Sequence, residues 1–405
     1  MNQSDLLPHL FRTEYAKIIS VLCKHYGFYQ IEIAEDIASE TFLTASQTWG
    51  LNGIPGNPVG WLYAVAKNKA KKFIHRDSIL QSKILPVYQR EKIVTEIELD
   101  LSDENILDSQ LRMIFAIAHP SIPIESQIAL SLRILCGFGI EEIARAFLSN
   151  KETINKRLLR AKSKLRENNI SLAFPSHHEL EERLSSVLRT IYLLFNEGYS
   201  SQIQDRFSGK ELCLDAIRLC SILLENKETN TSEVNALLSL LCFHISRFEA
   251  RLDGEGEIIL YGDQNKSLWN TEFIKKGEYF FSQSNKEPKF SKYHLEAAIA
   301  YWHTKQEDTE KKWESIYELY TGLLELEPSP QLLLNRAYAL FQVKGRDAAL
   351  KELEDLDLKT NPYYFFLLGE LHSELERENA KIYYNKALIF AKTELDRSAI
   401  RRRMI

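Results

Sequence analysis

Apolar residues recur at spacings of three and four along nearly the whole chain, and this periodicity constrains the fold more than any other feature. It runs from Leu6 to Tyr26, from Ile33 to Trp49, from Val59 to Ile74, from about Asp108 to Glu167, and from Glu179 to Ile405. Within 179–405 only the Gly-rich residues 251–263 break it strongly, and they predict a short hairpin or loop. We therefore predict an all-α fold.

The 405 residues exceed what one compact core holds, so several domains are expected. Breaks in the periodicity predict a three- or four-helix unit over 5–78, an acidic linker over 79–107, a second helical unit over 108–168, and a large helical region over 179–405. Asn57 and Pro58 have the residue types of an N-cap and a first-turn proline for the third helix.

The last hundred residues are repetitive. Residues 332–356 match residues 364–388 at a period of roughly 32, and each segment has the outline of two helices joined by a charged turn. This period indicates tetratricopeptide-like pairs near 313–392, with generic helical hairpins as the alternative.

Composition sets the cellular context. The net charge is −5, but residues 1–170 carry 21 Lys+Arg against 19 Asp+Glu, whereas residues 171–405 carry 30 against 37. The five cysteines form no C-x-x-C pair and stand in apolar runs, as in a reducing compartment. Neither a leader peptide nor a membrane span is evident, so we expect a cytoplasmic protein without membrane contact.

The most specific motif is a helix-turn-helix. A helix running to Cys136 ends at Gly137–Gly139, a short helix covers Ile140–Phe147, and after a three-residue turn a basic helix starts at Lys151. We expect apolar side chains at Ile143, Ala144, Phe147, Ile154, Leu158, Leu159 and Leu165 to face inward. Side chains expected at base edges are Lys151, Glu152, Thr153, Asn155 and Lys156, and those expected at phosphates are Arg157, Arg160, Lys162, Lys164 and Arg166. The alternative is a solvated basic helix.

A second set of cations is interleaved with aromatic residues over 59–77. Cations that follow a backbone and rings that stack on unpaired bases suit single-stranded DNA. The predicted contacts here are Trp61, Lys67, Lys71, Lys72 and Arg76. The alternative is an amphipathic core helix with a wet lysine face.

An acidic amphipathic helix over 34–45 precedes this segment. Its carboxylates are expected to face outward, where they repel DNA and suit a protein partner with a basic or mixed surface. The residues assigned to this partner are Glu35, Asp36, Glu40 and Thr41. The alternative is a solvated acidic face.

Residues 5–168 resemble an extracytoplasmic-function sigma factor, a promoter-reading subunit of bacterial RNA polymerase. The resemblance implies that AEDIASETFLTA grips core polymerase, that NPVGWLYAVAKNKAKKFIHR melts and reads the minus-ten element with Asn68 and Lys72 among its contacts, and that GIEEIARAFLSNKETINKRLLRAKSKLRE reads the minus-thirty-five element. Its implied partners are core RNA polymerase and promoter DNA, both duplex and melted.

The remainder resembles the tail of a sigma subgroup with a tetratricopeptide-like extension. LRTIYLLFNEGYS (188–200) and SRFEARLDGEGEIILYGDQNKSLWN (246–270) carry this resemblance together with the repeats. It implies that the tail contacts the sigma domains within the same chain and stands in for a separate anti-sigma protein.

Two other classes of function stay open. One is a one-component helix-turn-helix regulator with a ligand- or protein-sensing helical domain. The other is an enzyme with its site in 179–300, suggested by Asn196, Glu197 and Tyr199. The preferred interpretation makes Gly198 a helix C-cap with Tyr199 packed back onto the helix, and it makes Asn196, Glu197 and Tyr199 regulatory contacts. Because no phosphate loop, nucleophile motif or metal-ligand spacing is present, we expect no enzyme activity, cofactor or metal.

Overall fold

The structure, a computed structural model, describes residues 3–84, 99–147, 149–199, 206–253, 259–286, 290–354, 356–373 and 376–404. These residues form helices and their connections without a β-strand, which confirms the predicted all-α class. The chain divides into two compact units, residues 1–194 and 195–405, which we call the N-terminal and C-terminal units.

The described residues of the N-terminal unit form seven α-helices and most of an eighth. They are α1 Gln3–Tyr26, α2 Ile31–Asn52, α3 Pro58–Ile84, α4 Asp103–Ile117, α5 Ile124–Leu130, α6 Ile140–Ala146, α7 Lys151–Glu167 and α8 Leu180–Tyr199. The expected cap of α3 is confirmed, because the Asn57 side chain accepts the Gly60 N–H at 2.9 Å and Pro58 is the first helical residue.

The predicted linker is helical at both ends. Residues 79–84 continue α3, and residues 103–107 form the start of α4, where Ser102 caps the helix. Asp103 and Glu104 lie in the first turn of α4, where their negative charges are stabilised by the positive end of the helix dipole. These two acidic residues of the predicted linker therefore belong to a helix start. Residues 85–98 lie outside the described part of the chain.

The two helical modules predicted over 5–78 and 108–168 form one packed unit. Helix α1 packs against α2 and also against α4, and its Tyr15, Ile19 and Leu22 are fully buried. The start of α8 joins this unit, because Arg183 donates to Phe115 O at 2.8 Å and Ser186 to Ala118 O at 2.6 Å. The division between units thus falls at residue 194, after the break expected at 168–178.

The C-terminal unit continues from the end of α8. Its helices are α9 Arg206–Leu224, α10 Ser232–Ser246, α11 Thr271–Ser284, α12 Lys292–Trp302, α13 Glu310–Leu326, α14 Pro330–Lys344, α15 Arg346–Glu354, α16 Pro362–His372, α17 Arg377–Phe390 and α18 Glu394–Arg403. Helix α10 is central, with α9, α11 and α12 packed around it.

The repeated segments are helical pairs, α14 with α15 and α16 with α17. Pro330 and Pro362, 32 residues apart, each begin the first helix of a pair. In the second pair Gly369 allows a close approach, because a Cβ at this position would lie 2.4 Å from the Tyr384 ring.

The two described parts of the Gly-rich segment meet at Arg251 and Ile259. The Ile259 N–H donates to Arg251 O at 2.7 Å, and a turn of 3-10 helix follows at Tyr261–Asp263. Residues 254–258 lie outside the described residues. Across the described ranges, no helix is long and apolar enough to cross a membrane.

Candidate nucleic-acid interface

Helices α5, α6 and α7 have the predicted helix-turn-helix arrangement. Gly137 has a φ of +71°, a conformation that glycine adopts readily, and it separates α6 from the preceding helix. Glu142 caps the start of α6 by accepting the Gly139 N–H at 2.6 Å, and Asn150 caps α7 by accepting the Thr153 N–H at 2.8 Å. The Asn150 cap fixes where α7 begins and therefore which side chains lie in its first turn.

The first turns of α7 present polar side chains to solvent. Lys151, Glu152, Thr153, Asn155 and Lys156 are exposed, as are Arg160 and Lys164. The opposite face buries Ile154, Leu158, Ala161 and Leu165. Two salt bridges lie on the exposed face, Lys156–Glu152 at 2.6 Å and Lys151–Glu141.

Leu159 was expected on the inner face, and this expectation is wrong. Its side chain is 62% exposed, because residue 159 lies one step of about 100° beyond the buried Leu158 around the helix. An exposed leucine beside Asn155 and Lys156 adds an apolar contact to the polar face, of the kind that meets the thymine methyl group in a major groove.

A basic groove lies between the start of α5 and the outer face of α7. It has a volume of about 380 Å³, and its cations come from α7. They are Lys156, Arg157, Arg160 and Lys164, with Glu125 from α5 as the one acidic lining residue. Four cations on two successive helical turns form a positive field that suits phosphate oxygens.

On helix α3 the predicted DNA-binding cations and the Trp61 ring lie in different environments. Asn68, Lys71 and Lys72 are exposed, and Lys67 is half-buried. The Trp61 ring instead packs edge-on against Trp49, with centroids 5.4 Å apart, so in this conformation Trp61 has a packing role. The Arg76 side chain lies outside what the structure describes.

Helix α2 does not turn all its predicted contact residues outward. Asp36 and Glu40 are exposed, and Glu40 pairs with Lys69 of α3 at 3.0 Å. Thr41 is fully buried and donates to Ile37 O at 2.7 Å. Glu35 is 8% exposed, so its outward placement was also wrong.

Glu35 instead lies between two cations of the second module. Arg133 Nε is 3.1 Å from its carboxylate, and Lys162 of α7 donates to its other oxygen. One turn away, Arg166 of α7 pairs with Glu32 of α2 at 3.0 Å. Glu35, a predicted polymerase-binding residue, is therefore ion-paired with Lys162, a predicted DNA-binding residue, where α2 packs against α7.

Asn196, Glu197 and Tyr199 lie in the last turn of α8. Gly198 is inside the helix and lacks a positive φ, so its predicted C-cap role is wrong. A Cβ on Gly198 would lie 2.5 Å from the carbonyl oxygen of Gly209, and this glycine therefore permits the close crossing of α8 and α9. The predicted packing of Tyr199 onto its own helix is confirmed by its stacking on Phe195 at 5.4 Å, and Arg251 covers the ring at 3.7 Å.

Sequence reasoning missed the pairing of α2 with α7, since its partners are more than ninety residues apart in the chain. The available signal was weak: Glu32 and Glu35 share one face of α2, as Lys162 and Arg166 share one face of α7. Opposite charges on two amphipathic faces permit such a pairing but do not specify it.

Comparison with known proteins gives a family. A relative from Rhizobium meliloti (strain 1021), itself described only as an uncharacterized protein, is 32% identical over 382 residues, which cover 92% of this chain and 90% of the relative. The chain belongs to the same family as this protein. The relationship spans both units of the chain.

Residues 183–285 match a family model described as a family of unknown function, DUF6596. This range begins in α8 and ends after α11, and it includes the loop that follows α10. No solved structure matches the chain.

Proposed function

We propose that this protein is a sigma factor of the extracytoplasmic-function type, which binds core RNA polymerase in the cytoplasm and recognises and helps to melt specific promoters. Its C-terminal unit regulates this activity. The observation that carries the proposal is the capped helix-turn-helix whose α7 exposes a basic face beside the groove. The exposed Asn68, Lys71 and Lys72 on α3 offer a second DNA surface in the same unit.

The pairing of α2 with α7 implies that the sigma activity needs an opening step. Minus-ten and minus-thirty-five elements lie roughly 25 base pairs apart, or about 85 Å along B-DNA. A compact unit of 194 residues is only about 40 Å across. To reach both elements at once, the α1–α3 and α4–α7 modules must separate, which breaks the contacts of Glu35 with Arg133 and Lys162.

In vitro transcription tests the proposal directly. Bacterial core polymerase is incubated with a promoter library, with and without the protein, and the transcripts are sequenced. We expect protein-dependent start sites that share two upstream boxes. The alternative outcome is that the protein binds duplex DNA in a gel shift but gives no such transcript, either as the full chain or as a version ending after Tyr199. That outcome would favour the one-component regulator.

Variants separate the two DNA surfaces. The pair Lys71→Ala and Lys72→Ala should reduce open-complex formation, measured by permanganate reactivity of unpaired thymines, and leave duplex binding by α7 intact. Arg160→Ala should weaken duplex binding and flatten its salt dependence, because one phosphate contact is lost. Lys227→Ala removes an exposed lysine of the C-terminal unit and is the matched control.

The opening step has its own measurement. All five native cysteines are buried, so dyes can be attached specifically to Asn52→Cys and Glu167→Cys, both exposed positions. Energy transfer between the dyes should fall when polymerase and promoter DNA are added together. Unchanged transfer in an actively transcribing sample would contradict the opening step.

The regulatory role is tested by ending the chain after Tyr199. This end point keeps the whole of α8, whose first part packs on α4, and removes the rest of the C-terminal unit. Circular dichroism checks that the shortened chain is folded. Equal transcription from the full and shortened chains would remove the regulatory part of the proposal.

A further inference from the structure

Four segments of the C-terminal unit bring cationic and aromatic side chains to the ring of Tyr261. The Arg247 guanidinium carbon lies 5.6 Å from the ring centroid, and the Lys312 ammonium lies 5.0 Å from it and donates to the Tyr261 hydroxyl at 2.7 Å. The His303 ring is 4.7 Å away and the Trp269 ring 6.4 Å away. Together with Gln264, whose backbone N–H donates to Tyr261 O at 3.3 Å, we call these residues the Tyr261 cluster.

The two cations of the Tyr261 cluster are buried but differ in their partners. Lys312 is 0% exposed and also donates to Asp308 at 2.7 Å and to Lys305 O at 3.1 Å. Arg247 is 7% exposed, and among the described residues its guanidinium has neither a carboxylate partner nor a hydrogen-bond acceptor. A buried cation without a counter-charge is costly, and proteins rarely keep one without a reason.

Other polar atoms of the Tyr261 cluster are buried without a partner too. They are Nε of Arg247, Nε1 of Trp269, Oε1 of Gln264 and Nδ1 of His303. Buried polar groups are nearly always hydrogen-bonded, so four unpaired atoms in one cluster form an unusual concentration. Two are obligatory donors, one is an acceptor, and the imidazole nitrogen takes either role.

Electrostatics agree with an excess of positive charge. Burial, and then the charges of Arg247 and Lys312, hold the pKa of His303 well below its ordinary value. Burial lowers the pKa of Lys312 despite the opposing effect of Asp308. The cluster therefore favours a negative charge over any further cation.

We propose that the Tyr261 cluster is a binding site for a small hydroxylated metabolite that carries a phosphate or carboxylate group, with Arg247 as the main contact to the anionic group. The guanidinium fork matches either oxyanion. Trp269 Nε1 donates a further hydrogen bond to the anion, and Gln264 Oε1 accepts one from a ligand hydroxyl.

The burial of the Tyr261 cluster sets the size of this ligand. Arg247, Trp269 and Gln264 are all at least nine-tenths buried, so a nucleic-acid strand or a protein surface does not reach them. The rings of Tyr261 and Trp269 offer apolar walls to the carbon skeleton of a small molecule, as in typical metabolite sites.

The test is thermal unfolding of the full chain in sodium phosphate, sodium acetate, glucose 6-phosphate and sodium chloride at equal ionic strength. We expect a rise in Tm of a few degrees that saturates with concentration in at least one of the three oxyanions, and no saturable rise in chloride. Phosphate against acetate distinguishes the two anionic groups, and glucose 6-phosphate against phosphate reports the added hydroxyls.

Arg247→Met and Lys311→Met form a matched pair of charge removals. Arg247→Met removes a buried charge without a partner, so the ligand-free Tm should stay equal or rise while the oxyanion effect disappears. Lys311→Met removes an exposed charge next to Lys312 and should keep the full effect. Should Arg247→Met fold poorly, Trp269→Phe replaces it, and we expect a weaker apparent affinity from the loss of one donor.

A saturable effect that Arg247→Met or Trp269→Phe reduces supports the site. No saturable effect of any oxyanion, or an effect that both variants keep, overturns it. Neither polymerase nor DNA is present in this test, so its failure and the failure of the proposed sigma function are separate results.

Discussion

Both units bury charged side chains, but they neutralise them differently. In the N-terminal unit the Glu35 carboxylate lies between Arg133 and Lys162, and the pairing connects two helical modules. In the C-terminal unit Arg247 lies near Lys312 and a histidine, without a carboxylate among the described residues. The charge of Glu35 is neutralised within the chain, and this pairing holds the two helical modules together. The charge of Arg247 is neutralised only when an anion binds.

Removing Glu35 should have the largest effect. Glu35→Gln leaves Arg133 and Lys162 facing each other without a counter-charge, and we expect a loss of about 3 kcal/mol in the free energy of unfolding. Urea denaturation measures it. Asp36→Asn, an exposed neighbour on the same helix, should change stability by less than about 0.5 kcal/mol. Equal losses in the two variants would mean that the contact of α2 with α7 contributes little.

The second-largest loss of stability is expected from replacing Lys312, the buried cation of the C-terminal unit that has hydrogen-bond partners. Lys312→Met removes hydrogen bonds to Tyr261, Asp308 and a carbonyl oxygen, with an expected loss of about 2 kcal/mol. Lys311→Met is again the control. If Lys312→Met lowered stability no more than Arg247→Met does, the distinction between a paired and an unpaired buried cation would fail.

Acid should weaken the C-terminal unit. Burial, with Arg247 and Arg251 nearby, lowers the pKa of His244 to about 3, and the pKa of His303 is lowered too. Unfolded histidines bind protons below about pH 6.5 whereas these folded ones do not. Stability is therefore fully present above pH 6.5 and falls as the pH drops from there towards 3, by at most about 1.4 kcal/mol per pH unit for each histidine.

Thermal unfolding between pH 7.5 and 5.5 measures this dependence. His244→Gln removes one of the two histidines and should reduce the slope. A slope that is unchanged in this variant would show that His244 becomes protonated without unfolding.

The smallest effect belongs to a half-exposed ion pair of the N-terminal unit. Lys24 of α1 and Asp108 of α4 lie 2.6 Å apart, and about a third of each side chain is exposed. A double-mutant cycle with Lys24→Met and Asp108→Asn should give a coupling energy of less than about 1 kcal/mol, which falls further in high salt. A coupling as large as the Glu35 effect would show that burial is not what separates the two pairs.

Local signals in the sequence predicted most of the helices. Periodicity and caps placed α1, α2 and the helix-turn-helix within a few residues, because these signals act over one or two turns. They misplaced Leu159, because Leu158 and Leu159 were both assigned to the inner face although adjacent helical residues point about 100° apart. They also misread Gly198, because a helix crossing needs a glycine for reasons that lie in α9.

The charged contacts of the candidate site could not be predicted in the same way. Glu35 was assigned outward because it stands beside exposed Asp36 in an acidic helix, and its cationic partners are distant in the chain. The same holds for the Tyr261 cluster, which combines residues from four segments. The sequence identified residue types that suit contact with DNA, and packing determined which of them are exposed together.

The crossing at Gly198 has a consequence for how the family can diverge. A Cβ at this position would lie 2.5 Å from the main-chain oxygen of Gly209 and 2.7 Å from the Cβ of Leu212. Exchange of Leu212 for a smaller residue leaves the Gly209 oxygen in place, so it does not by itself make room for a side chain. Position 198 is thus a diagnostic position: distant sequences that have any other residue here must have moved the two helices apart.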